Sequence, residues 1–130
     1  MADPSAIRNR LATLRLPLLD LHRALLESER RLYELAHGRV TPHALLSLAL
    51  KHEQFEWLLP LSGLIVRIDE LLGDDAVPDE GDLGEIVAEV KARLTPSETG
   101  SVTEQRYHRA IQNDPAVLLA HRAVMQALPR

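Results

Sequence analysis

Histidines and carboxylates at helical spacing are the side chains here that could do chemistry. The stretch KHEQFEW, residues 51–57, sets His52 and Glu56 four apart, so a helix would bring them to one face. Glu34-x-x-His37 is one half of a carboxylate-bridged di-metal signature. Such sites need a second motif, and the chain has no His-x-x-x-His and no second Glu-x-x-His. Both pairs therefore read as polar faces turned to water. A third set is harder to dismiss. Arg15, His22 and Glu29 recur every seven residues, while Asp69, Ser62 and His121 fall among apolar neighbours on their own helices. A carboxylate in apolar surroundings is costly unless paired or protonated, so Asp69 needs a partner, and Arg15 or His22 is expected to neutralise it. The expectation is a semi-buried polar network of Arg15, His22, Glu29, Asp69 and His121 that serves packing specificity.

The same residues allow two other readings. His22, Glu29, Asp69 and His121 are an acceptable ligand set for zinc, iron or manganese, or for a small polar ligand in a helical bundle. Against a single ion, His22 and Glu29 stand two helical turns apart, about 10 Å, whereas ligands must lie within about 2–2.5 Å of a metal. No metal and no cofactor is expected. An enzyme would use His22 or His121 as base with Asp69 orienting it. The sequence offers no substrate for that, so a non-catalytic protein is the expectation.

Other chemistries lack their parts. There is no cysteine, hence no disulfide, zinc knuckle or thiol nucleophile, and the composition fits a reducing, cytoplasmic compartment. No Walker loop and no Gly-x-Ser-x-Gly elbow occurs. The acidic loop DDAVPDEGD has Ala76 and Pro78 where a calcium loop needs oxygen ligands. No nucleic-acid partner is expected: the net charge is −4, aromatics are 3%, and the one segment that could form a helix-turn-helix, 41–59, has a single lysine and no arginine. No membrane association is expected either. MADPSAIRNR lacks the apolar core of a signal peptide, and no apolar run reaches the roughly 18 residues of a membrane span. Thirteen arginines against two lysines suggest a GC-rich bacterial genome.

The elements that must position these residues are all helices. The 130 residues are one domain's worth, domain 1–130, with 45% apolar residues to form a core. Asp3-Pro4 starts a first helix that ends near Gly38. In it Ile7, Leu11, Leu14, Leu18, Leu21, Leu25, Leu32 and Leu35 alternate by fours and threes, a heptad seam broken only at Ser28. Pro17 predicts a kink or two consecutive helices. Thr41-Pro42 opens a second helix to about Lys51, and a third runs from Glu53 to Gly73 with a bend at Pro60. A wheel of this third helix turns Asp69 inward and Glu56 outward, with His52 at the outer edge. Residues 74–82 form an acidic loop, 83–94 a fourth helix, and 95–101 a second loop. Thr103 caps a helix to Asn113, and Asp114-Pro115 starts the last helix, which runs to about Leu128. No period-two pattern survives, so the fold class is all-α, a single irregular bundle of five or six helices.

Charge is uneven. Residues 69–89 hold nine acids and no base, while residues 1–39 hold seven arginines against five acids. These regions can attract each other between chains. The first helix is also apolar on a second edge, Leu19, Leu26 and Tyr33, more than one short chain can cover. The blocks LLDLHRALLESERRLYELAHG, LLPLSGLIVRIDELL and NDPAVLLAH resemble small all-helical bacterial proteins of unassigned function. That resemblance implies a helical fold and carries over no catalytic residue and no ligand. The expected function is a non-catalytic helical protein-interaction module that self-associates as a homodimer, or binds another protein.

Overall fold

The computed structural model describes residues 3–129 as six α-helices, with no strand among them. Helix α1, Pro4–His37, is the axis of the molecule. Asp3 caps its start by accepting from the Ser5 N–H, and Gly38, at φ 83°, ends it in a conformation a Cβ would strain. The helix runs through Pro17 as a single element.

Two helical layers run back along α1. One is a 3-10 turn, Glu53–Leu58, continued by α3, Leu59–Leu71; the other is α6, Pro115–Ala127. The pairing is antiparallel in both. Glu29 meets Gln54 and Trp57, Arg15 meets Asp69, and Arg8 meets the end of α3. Arg31 meets Asp114 at the start of α6, while Ala127 at its end lies near Asn9 and Arg10. Helices α4, Glu80–Arg93, and α5, Val102–Asn113, complete the bundle. Ile7, Leu11, Leu14, Leu18, Leu21 and Leu25 are buried against Phe55, Ile68, Ile86, Val117 and Val124. Each such side chain contributes roughly 1.5–3 kcal/mol of burial.

The heptad seam does not stay buried to its end. After Leu25 the buried position on α1 passes to Glu29, and Leu32 and Leu35 are 50% and 85% exposed. A straight α-helix drifts about 20° per heptad from a strict seven-residue repeat. The partner also runs out, since α6 begins at Asp114 beside Arg31. Helix α2, Pro42–Lys51, covers none of this and has no buried residue of its own.

Three expected boundaries move. The long third helix is split, because residues 53–58 wind as a 3-10 turn before α3 begins one residue ahead of Pro60. The acidic loop shortens, because Asp79 and Asp82 cap each other's backbone N–H groups and start α4 at Glu80. Helix α5 is capped by Ser101, not Thr103, through a reciprocal box with Glu104.

Candidate functional site

Of the five residues expected to form one network, the structure brings Arg15 and Asp69 together as an ion pair. No hydrogen bond joins the other three to them among the described residues. Asp69 is also more exposed than the wheel implies, with 47% of its side chain open to solvent. The cause is the 3-10 turn. Its tighter winding removes Phe55 and Leu58 from the arc of α3, whose buried stripe is Leu61, Leu64, Ile65 and Ile68. At 100° per residue Asp69 lies about 80–90° from the centre of that stripe, at its edge.

His22 is half-buried, makes no side-chain hydrogen bond among the described residues, and is held below the usual histidine pKa by desolvation. His121 packs edge-on against Tyr107, ring centroids 5.4 Å apart, and its Nδ1 pairs with the Tyr107 hydroxyl. Burial pushes the Tyr107 phenol up and the His121 imidazole down, and the tautomer of the ring sets which of the two groups donates.

Glu29 is the residue of the five that is enclosed. Its Oε1 accepts from the Trp57 indole N–H at 2.9 Å, and its Oε2 from the Gln54 amide at 2.9 Å. Spacing within the sequence does not mark Gln54 or Trp57 as partners of Glu29. The available signal was a buried indole N–H, which requires an acceptor, and the Ser28 break in the seam beside Glu29. The motifs at residues 34–37 and 51–57 serve structure as well. Glu34 accepts from the Val40 N–H at 2.9 Å, and His37 stacks on Tyr33. Glu56 is exposed. His52 is half-buried, against the expectation that it faces away from the core. It caps the 3-10 turn through its Nδ1, which accepts from the Gln54 N–H.

Glu29 and Gln54 form the floor of an open cleft of about 370 Å³ between the last third of α1 and α5. Leu32, Leu35 and Ala110 give it an apolar wall, and Arg31, Arg106 and Arg109 rim it. Arg31 is paired with Asp114, which also caps α6 through the Ala116 N–H. Arg106 reaches only the Gln54 carbonyl, at 3.4 Å, and Arg109 has no partner among the described residues. The two acids of the lining, Glu29 and Asp114, are buried, whereas Arg31 and Arg109 are exposed. The cleft therefore presents leucine and guanidinium to solvent.

Among the described residues, no three histidine or carboxylate side chains are gathered to hold one metal ion. No helix among them is long and apolar enough to cross a membrane. Comparison with protein-family models, curated proteins and solved structures finds no match for this chain.

Proposed function

We propose that the chain is a non-catalytic interaction module that self-associates through its distal end, formed by the last third of α1, α2 and the arginine-rimmed cleft. One observation carries this reading. Residues 30–54 contain no buried position, although they include Leu32, Leu35, Leu46 and Leu50, all at least half exposed. Leu32 and Leu35 line the cleft together, and apolar side chains left open side by side mark a surface that another protein covers. A second copy of the chain is the simplest partner.

The histidine and carboxylate geometry supports this over an enzyme. Asp69 is paired with Arg15, His121 with Tyr107 and Glu29 with Trp57 and Gln54, and no carboxylate is hydrogen-bonded to His22 among the described residues to orient it as a base.

Light scattering of the purified chain over a micromolar concentration series is the test. The expected mass exceeds that of the 14.5 kDa monomer. Leu35→Asp, which adds a charge at a side chain already open to solvent, is expected to return the monomer mass with unchanged helical circular dichroism. A monomer mass for the unaltered chain at every concentration refutes self-association.

A further inference from the structure

The cleft has a counterpart elsewhere on the same chain. The connection between α3 and α4 carries Asp74, Asp75, Asp79 and Glu80 at the surface. In their midst Val77 is 77% exposed. This tip is held in place from below. Arg8 donates to the carbonyls of Leu72 at 2.9 Å and Gly73 at 2.7 Å, and also to that of Ala76, while the neighbouring Pro78 is buried. Asp79 is anchored by its reciprocal cap with Asp82. Asp74, Asp75 and Glu80 have no hydrogen-bond or ion-pair partner among the described residues. An exposed valine ringed by free carboxylates is thus preorganised, and a preorganised loop loses little entropy on docking.

Resting on the self-association proposed above, we infer that the Val77 loop of one copy docks in the Leu32–Leu35 cleft of a second copy. Its free carboxylates then face Arg106 and Arg109. Both halves of the match are on this chain. The cleft offers apolar side chains inside a cationic rim, and the loop offers an apolar side chain inside an anionic ring. Complementary charge of this kind sets register and excludes wrong partners.

Arg8 fixes the loop near the start of α1, and the cleft is built on residues 28–35 near its end. At 1.5 Å per residue they are separated by about 30–40 Å along the helix. At 100° per residue Arg8 lies about 150° around α1 from Ser28, Leu32 and Leu35, so loop and cleft sit on different sides of the helix and the contact joins unlike surfaces of two copies, the loop of one entering the cleft of the next.

Sedimentation velocity on the full chain tests this, with circular dichroism on each variant to check folding. Asp75→Arg, Arg109→Glu and Val77→Asp all alter exposed side chains. Each is expected to raise the dissociation constant for self-association by about tenfold or more, because each removes or reverses one side of the charge and apolar match. The doubly reversed chain, D75R/R109E, is expected to recover most of the lost affinity. Raising the salt concentration weakens the unaltered dimer, since these charges face solvent. If dimers persist in all three loop and rim variants but vanish with Leu35→Asp, the distal end is the interface and the Val77 loop is not its occupant. A monomer mass for the unaltered chain overturns this inference and the proposed function together.

Discussion

The two ends of α1 carry similar leucines and have different fates. From Ile7 to Leu25 every seam position is essentially closed to solvent, because α3 and α6 run along both flanks. From Arg30 onward no position is buried, although Leu32 and Leu35 continue the same spacing. The difference lies in the partner helices. Where α6 starts, at Asp114, the seam loses its cover. A heptad pattern thus reports which side of a helix is apolar, and the length of its neighbours decides how much of that side is core.

The contrast can be broken most sharply by deletion. Leu18→Ala opens a cavity in the enclosed half and is expected to cost about 2–5 kcal/mol of unfolding free energy. Leu35→Ala, measured by urea unfolding at a concentration low enough to hold the chain as a monomer, is expected to change stability by less than about 0.5 kcal/mol. Equal losses at both positions would erase the distinction.

Glu29 sits at the boundary between the two regions, and the next effect in size belongs there. Glu29→Ala leaves the Trp57 indole N–H without its acceptor and the Gln54 amide with only the residue-29 backbone carbonyl, at 3.3 Å, an expected loss of about 1–3 kcal/mol. Asp69→Ala removes only a solvent-exposed ion pair with Arg15, and urea unfolding is expected to register less than about 0.5 kcal/mol. Reversal of this order would show that Asp69 is the enclosed carboxylate.

The pH dependence belongs to the packed half. His22 and His121 are both held below the ordinary value of 6.5 by burial. The unfolded chain therefore binds protons before the folded one as pH falls. Their contribution is fully present above 6.5 and is lost as the pH drops through the folded values. Stability measured by urea unfolding should fall in that window, and His22→Gln should flatten part of the slope. A profile that rises on acidification would contradict the burial of these rings.

Helix starts were legible where the signal is local. Asp3-Pro4, Thr41-Pro42 and Asp114-Pro115 each place a capping side chain before a proline, and each begins a helix. The pairs Asp79-x-x-Asp82 and Ser101-x-x-Glu104 carry an equally local signal and set two starts that the apolar pattern alone misplaces. The 3-10 turn at 53–58 was not legible, since it shares composition and apolar spacing with an α-helix and differs only in its hydrogen-bond step. That one error turned Asp69 inward. The Arg15–Asp69 pair survived it, because a charged row on one helix finds a charge on the antiparallel helix even when the azimuth is wrong. The site around Glu29 depends on register between α1 and the turn, and no spacing within either segment encodes it.

The most direct measurement is amide hydrogen exchange, followed by mass spectrometry, on dilute and concentrated samples of the full chain. Residues 7–28 should show the same strong protection in both. Residues 30–51 should exchange faster in the dilute sample and slow down in the concentrated one, as a second copy covers them. Exchange over 30–51 that is equally slow at both concentrations would mean that a single chain already shields its distal end, and the docking surface would be lost.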